Sequence, residues 1–242
     1  RGNRGGINVM AISPTRKQIA IGGFSPRGSN GDIIILDTDR AEVETSLPID
    51  RDNLTALPGH RQAVTGLDYS PDGNRVVSVS FDGEIWVWTA PAQPGAAWTP
   101  QLIRQPQGSL FDRQPAIFLD NNTIVAAERV NVKIDTQWRL ALYNIQGQRL
   151  GVLPTIHDIR VSALTRAADG TTWFSASGRD HNNIASDSSI YVWTGPDQQQ
   201  PRVLRSSNRE PSSLSSGPGG LLAASSFLAP IPGNRQEAIV EL

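Results

Sequence analysis

Residues 60–89 restrict the possible fold more than any other part of this sequence. They contain three short runs in which apolar and polar residues alternate with a period of two, as in half-buried β-strands. Pro71-Asp72-Gly73 separates the first two runs and Asp82-Gly83 separates the last two, and both sequences favour tight turns. The stretch therefore predicts a three-stranded antiparallel meander.

Four residues with hydrogen-bonding side chains stand at fixed places in this meander. His60 precedes Ser78 by eighteen residues, and Asp82, in the second turn, precedes Trp88 by six. A buried indole N–H needs an acceptor, and a hydroxyl, an imidazole and a carboxylate can pass hydrogen bonds in series. The pattern closely resembles the WD-repeat family of β-propellers, which has such a network inside each blade, although Thr89 replaces the usual Asp after the Trp.

A second copy of the pattern occupies residues 157–194. His157 precedes Ser175 by eighteen residues, Asp187 precedes Trp193 by six, and both copies end in Val-Trp-Thr. A His-Ser-Asp catalytic triad has no reason to occur twice at one repeat spacing and to end on Trp each time. We therefore expect two structural hydrogen-bond tetrads and no catalytic residue.

Three weaker copies lie at residues 7–37, 114–144 and 210–242, and segments between the copies leave room for a fourth strand. The resemblance thus implies an all-β fold, a β-propeller of four-stranded antiparallel blades with five blades visible. It implies one WD-repeat domain or partial propeller over residues 1–242, with blades near 7–58, 59–106, 107–156, 157–206 and 207–242.

The first copy has no strand before its first strand and the last copy has none after its third, so two forms of closure stay open. Either the five blades are an excerpt of a larger ring of seven blades, or they form a short ring that closes in another way. We favour the excerpt and, because the sequence starts RGNRGG without Met, expect a larger multidomain chain.

Charge and composition exclude several classes of partner. The 22 basic residues balance 23 acidic ones, so the charge gives no support to nucleic acid as a partner. No run of eighteen apolar residues predicts a membrane span. Without cysteine, disulfides and thiolate chemistry are excluded and the compartment is undetermined, although we favour the cytoplasm; we expect no cofactor.

Long loops follow the second strand in every repeat except residues 60–89, and each carries an arginine. Such loops share one face of a propeller with the connections between blades, and guanidinium groups suit carboxylate partners. We therefore expect an acidic protein or peptide partner, although arginine is common throughout and chance placement stays open. The predicted partner-binding residues are Arg27, Arg61, Arg129, Arg179, His181 and Arg235.

The resemblance implies a non-catalytic interaction scaffold or sensor, and three alternatives were weighed against it. A sugar- or small-molecule-binding propeller predicts a repeated aromatic residue in the long loops, which share only arginine. A five-bladed glycoside hydrolase needs paired carboxylates, but Asp68 lies within a predicted strand and Asp120 in a turn. His181 lies near Asp180 and Asp187 without regular ligand spacing, so we expect no metal site.

Overall fold

In the computed structural model, the described residues are 6–24, 31–38, 42–47, 60–93, 96–106, 114–130, 137–154, 157, 160–177, 189–195, 200–205, 209–217, 221–228 and 238–241. They form nineteen β-strands and no helix, and hence no helix that could cross a membrane. The strands are β1 (Ile7–Ile12), β2 (Gln18–Phe24), β3 (Gly31–Asp37), β4 (Glu42–Leu47), β5 (Val64–Tyr69), β6 (Arg75–Ser80), β7 (Ile85–Thr89), β8 (Thr99–Arg104), β9 (Ala116–Phe118), β10 (Thr123–Val130), β11 (Gln137–Asn144), β12 (Arg149–Val152), β13 (Val161–Arg166), β14 (Thr172–Ser177), β15 (Ser189–Thr194), β16 (Arg202–Arg205), β17 (Arg209–Ser216), β18 (Leu222–Leu228) and β19 (Ala238–Glu241).

The strands form five sheets in which each strand pairs with its neighbours in the chain. Sheets one to four contain β1–β4, β5–β8, β9–β12 and β13–β16, and sheet five contains β17–β19. Neighbouring strands run antiparallel, so the predicted all-β class of four-stranded antiparallel meanders is confirmed. The described part of sheet five has three strands.

Aspartates close the turns that lead from the first to the second strand of sheets two, three and four. Asp169 Oδ1 accepts hydrogen bonds from the backbone N–H groups of Thr171 and Thr172 at 2.8 and 2.7 Å. The bonds from Thr172 and Thr171 hold the pKa of the Asp169 carboxyl below its ordinary value of 3.8. Gly170 supplies the positive φ of 74° that this turn requires. Asp72 and Asp120 make the corresponding bonds in sheets two and three.

The first strands of four sheets carry a β-bulge at one equivalent place, where an extra residue shifts the register. The inserted residues are Asn8, Thr65, Ser162 and Ser212. The three hydroxyls each donate to a carbonyl of the adjacent second strand at 3.1–3.4 Å. Asn8 Nδ2 also donates to Val64 O at 3.1 Å, and Ser162 Oγ to Pro211 O at 2.7 Å. The Asn8–Val64 bond therefore joins sheet one to sheet two, and the Ser162–Pro211 bond joins sheet four to sheet five.

The chain divides into two compact units. Unit 1 comprises Arg1–Ile124 and Tyr143–Arg149, and unit 2 comprises Val125–Leu142 and Leu150–Leu242. Each unit has an aliphatic and aromatic core between sheets.

In unit 1, one face of sheet two packs against sheet one. We call this the leading face of sheet two; its buried residues are Leu67, Tyr69, Val76, Trp86 and Trp88. In the other sheets, the face at the equivalent register positions is also called the leading face, and the opposite face of each sheet is its trailing face. The trailing face of sheet one contributes Val9, Ala11, Ala20, Ile33 and Ile35 to this core. A Cβ added at Gly22 of sheet one would lie 2.7 Å from Val64 Cγ1, so the two sheets approach closely there.

Unit 2 repeats this arrangement between sheets four and five. The trailing face of sheet four packs against Leu214, Ala224 and Leu222, which lie on the leading face of sheet five. Sheet four contributes Ala163, Phe174, Ala176, Ile190 and Val192. In both units the trailing face of one sheet therefore packs against the leading face of the next.

Candidate functional site

The structure brings His60, Ser78 and Trp88 together inside unit 1. Ser78 lies in the middle of β6, directly between the imidazole and the indole. His60 Nε2 lies 2.7 Å from Ser78 Oγ, and Trp88 Nε1 donates to the same oxygen at 2.8 Å. His60 Nδ1 lies 3.2 Å from Glu84 Oε2. All four side chains are buried, and His60 is only 1% exposed.

One assignment of protons satisfies this whole series. The Glu84 carboxylate accepts, so His60 Nδ1 carries the proton and donates to it, which leaves Nε2 as an acceptor. The Ser78 hydroxyl then donates to Nε2 while its oxygen accepts from the Trp88 indole. Every buried polar atom of the series has a partner, which is what a stable buried network requires.

Asp82 occupies the second turn, as predicted, but it does not contact the imidazole. Its Oδ1 accepts hydrogen bonds from the Ser80 hydroxyl and from the backbone N–H of Glu84, the latter at 3.2 Å. Gly83, with φ of 78°, reverses the chain and places Glu84 next to β7, where its side chain reaches His60. The structure thus corrects the predicted tetrad: Glu84 takes the place of Asp82 beside the imidazole, while Asp82 closes the turn.

An equivalent network lies in sheet four of unit 2. Trp193 Nε1 donates to Ser175 Oγ at 2.8 Å, and His157 Nε2 lies 3.0 Å from that oxygen. His157 Nδ1 lies 2.6 Å from Ser177 Oγ, a hydroxyl where sheet two has a carboxylate. The Tyr191 ring meets the imidazole edge-on, with ring centroids 4.8 Å apart. Asp187, predicted to belong to this set, lies outside the described residues.

Sheet three carries a buried ion pair that sequence reasoning missed. Arg139 Nε of β11 donates to Glu128 Oε2 of β10 at 2.9 Å. The Glu128 side chain is 4% exposed and that of Arg139 is 31% exposed. The two residues lie on adjacent strands of a weak repeat without His or Ser, so the repeat pattern gave no signal for them.

The His-Ser pairs have the composition of a catalytic dyad but not its accessibility. His60, His157, Ser78 and Ser175 are all buried, so a substrate could reach them only if a sheet opened. Each serine oxygen also accepts a hydrogen bond from a tryptophan indole N–H. The oxygen therefore satisfies a buried donor and is not positioned to attack a carbonyl. The arrangement satisfies buried donors and holds adjacent strands together.

The two carboxylates considered for glycoside hydrolysis are engaged with backbone groups. Asp68 Oδ2 accepts from Phe118 N at 2.9 Å, which joins β5 to β9. Asp120 Oδ1 accepts from Asn122 N and Thr123 N at 2.7 and 2.8 Å within its own turn. Both aspartates therefore make local or intersheet structural bonds.

Two of the predicted partner-binding residues fall within the described residues. Arg61 is exposed beside His60 in unit 1, and Arg129 is half-buried near the end of β10 in unit 2. The remaining predicted residues, Arg27, Arg179, His181 and Arg235, lie outside the described residues. Within the described ranges, no group of three or more His, Asp or Glu side chains is arranged to hold a metal ion.

Residues 51–89 match the family model of the WD domain, G-beta repeat (WD40). The chain contains a WD40 repeat. This match confirms the resemblance to WD-repeat β-propellers inferred from the His60 and Trp88 pattern. Two Arabidopsis thaliana proteins, Actin-related protein 2/3 complex subunits 1A and 1B, are each 32% identical to the chain over 74 residues. The matched segment spans 29% of this chain and 19% of each plant protein.

Similar solved structures extend the WD40 fold over nearly the whole chain. U3-55K has a TM-score of 0.64 at 15% identity, covering 94% of this chain and 60% of its own. The β-propeller domain of Cps50 (Swd1) from Myceliophteria thermophila has a TM-score of 0.61 at 15% identity, covering 97% and 68%. The C-terminal WD40 domain of Sif2 has a TM-score of 0.58 at 14% identity, covering 91% and 54%. At these identities the likeness establishes the β-propeller fold alone.

Proposed function

We propose that this chain is a non-catalytic interaction scaffold or sensor module that binds a protein or peptide. The observation that carries the proposal is the burial of both His-Ser-Trp networks. These histidine and serine side chains have the chemistry of catalytic residues, but they are buried and hydrogen-bonded to one another, which supports a structural role for them. WD40 propellers typically serve as interaction scaffolds. The two plant relatives are named as subunits of the Actin-related protein 2/3 complex, which supports a role in protein assembly here.

The proposed contact surface is the set of loops after the second strands, together with the connections between repeats. Arg61 supports this choice, since it is exposed in the connection that leads into β5. An acidic partner matches arginine in these segments, because guanidinium and carboxylate form charge-assisted hydrogen bonds. The partner-binding residues of this proposal are Arg27, Arg61, Arg129, Arg179, His181 and Arg235.

We further propose that residues 1–242 act as one WD-repeat domain with a blade centred on each sheet. The register gives physical support, because all five residue pairs between the first two strands of sheet one have a counterpart at the equivalent position of sheet two, and so do five of the seven pairs between its second and third strands. A sugar-binding or hydrolytic role is less well supported. Asp68 and Asp120 are already engaged with backbone N–H groups, so neither stands ready to flank a glycosidic bond.

A quantitative binding experiment tests the proposed surface. The probe is a fluorescently labelled deca-glutamate peptide, whose affinity is measured by anisotropy at low and at physiological salt. Exposed ion pairs contribute about 0.2–1 kcal/mol each, so Arg61→Ala and Arg179→Ala should each weaken binding by up to about fivefold. Arg202→Ala, an exposed residue of β16 outside these loops, is the matched control and should leave the affinity unchanged.

The combined Arg61, Arg129 and Arg179 variant distinguishes the acidic-partner proposal from chance placement. If this triple variant binds the probe as tightly as the unaltered chain, the loop arginines do not form the contact surface. Weakening by Arg202→Ala to the same degree would have the same meaning, because binding would then follow total charge rather than position.

A further inference from the structure

Two phenylalanine rings meet at the loop ends of sheets one and two, within unit 1. Phe24 is the last residue of β2, and Phe81 is the first residue after β6. Their ring centroids lie 5.9 Å apart, with the ring planes tilted by 47°. Phe24 is 40% exposed and Phe81 is half-buried. Because both residues lie at the ends of second strands, the pair adjoins the loops that the proposed function assigns to the contact surface.

The fold of a sheet does not require an aromatic ring at this position. Counted from the β-bulge of the first strand, Phe24 and Phe81 occupy the same place in sheets one and two. In sheet four, the sequence has Gly178 at that place. Neither phenylalanine is among the described residues of the core between sheets one and two. The two rings therefore lie outside that core and present apolar surface to solvent.

The connection that leads into β5 runs next to both rings. Gly31, which pairs with Phe24, lies so close to this connection that an added Cβ would be 2.4 Å from Gln62 O. On the other side, Phe81 N donates to Ala63 O at 3.1 Å. The backbone of residues 62 and 63 is thus held between the ends of the two sheets. The side chains of this connection emerge beside the aromatic pair.

The charged groups of this connection and of the Phe81 turn differ by sign in their exposure. Asp82 and Glu84 follow Phe81 in the turn, but both are buried, with their carboxylates hydrogen-bonded inside sheet two. Arg61 is exposed in the connection, two residues before Ala63. Among the described residues of these two segments, a ligand therefore meets an exposed cation and no exposed carboxylate.

We propose that Phe24 and Phe81 bind an aromatic side chain of the partner peptide, with acidic residues beside that side chain contacting Arg61. The inference rests on the proposed function and narrows its acidic partner to a peptide with an aromatic residue among carboxylates. Two tilted rings can offer a third ring one face and one edge, which is the arrangement that aromatic groups prefer. Binding would also remove the exposed surface of Phe24 from water.

Fluorescence anisotropy with two labelled decapeptides of equal charge tests this assignment. One peptide consists of glutamates around a central phenylalanine, and the other has serine in place of that phenylalanine. The unaltered chain should bind the phenylalanine peptide at least about fivefold more tightly, since buried aromatic anchors dominate small contacts. Phe24→Ala and Phe81→Ala should each reduce this preference, and Val203→Ala, at a 45% exposed position of β16, is the control that should preserve it.

The outcomes separate this inference from the proposed function. Arg61→Ala should weaken both peptides to a similar degree, because it acts on the carboxylates that they share. Equal binding of the two peptides by the unaltered chain would overturn the aromatic site alone, and so would a preference that survives Phe24→Ala. Phe24 is the more exposed ring, so this variant remains decisive even if Phe81→Ala fails to fold. If neither peptide binds, the acidic-partner proposal and the aromatic site both fail.

Discussion

Replacing Ser78 with alanine should destabilise unit 1 strongly, because one oxygen serves two buried groups. Ser78→Ala removes the acceptor of the Trp88 indole N–H at 2.8 Å and the partner of His60 Nε2 at 2.7 Å. Neither group has access to water in the folded chain. A buried polar atom left unsatisfied costs about 1–3 kcal/mol, so two such atoms imply a loss of about 2–6 kcal/mol in the free energy of unfolding.

Urea unfolding followed by tryptophan fluorescence measures this loss. The midpoint concentration should fall while the slope of unfolding free energy against urea stays the same, since the surface exposed on unfolding is unchanged. Ser213→Ala, at an exposed serine of β17, is the matched control and should alter the free energy by less than about 0.5 kcal/mol.

A double-mutant cycle with Trp88→Phe locates the effect in the hydrogen bond. Phe lacks the indole N–H, so in that background Ser78→Ala orphans one group instead of two and should cost at least about 0.5 kcal/mol less. The reasoning fails if Ser78→Ala proves no more destabilising than Ser213→Ala, or if Ser78→Ala and Trp88→Phe are additive.

Three further predictions concern a turn, an ion pair and a titrating carboxyl. Gly83→Ala should destabilise by at least about 1 kcal/mol because φ is 78° there, whereas Gly151→Ala, with open space around its added Cβ, should not; thermal unfolding compares them. Arg139→Leu should cost about 3 kcal/mol by removing the guanidinium from a buried carboxylate, whereas Glu128→Leu should cost less because Arg139 reaches solvent; equal losses in urea would contradict this. Partial burial acts to raise the pKa of Asp72, but hydrogen bonds from Ser70 and Asn74 and the nearby Arg75 together hold it below 3.8. The stability this adds should be present above pH 3.8 and lost as pH falls through the lower, folded-state pKa; an Asp72→Asn deficit that does not shrink on acidification would refute the assignment.

Repeat spacing in the sequence was enough to predict the strand order and the centre of the network. His60, Ser78 and Trp88 come together because the spacing of a meander with short turns leaves them little freedom. Spacing could not distinguish Asp82 from Glu84 as the partner of the imidazole. Both carboxylates lie at the same turn, and only the backbone path through Gly83 decides which one faces inward.

Alternating polarity also concealed the β-bulges. Val64 and Leu67 both lie on the leading face of sheet two although three positions separate them, because Thr65 is the inserted residue. A strict period of two would place them on opposite faces. The Glu128–Arg139 pair was missed for a different reason, since two charged residues in a weak repeat resemble ordinary solvated side chains until their burial is known.

The inserted residue in the first strands of sheets one, two, four and five makes chain length there more critical than residue identity. Deleting Asn8 or Ser162 would remove a hydrogen bond to the first strand of the next sheet and would also turn the residues that precede the deletion to the opposite face of their strand. Substitution at either place loses only the bond. Homologous sequences should therefore vary freely in side chain at these two positions, while gaps in their alignments fall elsewhere.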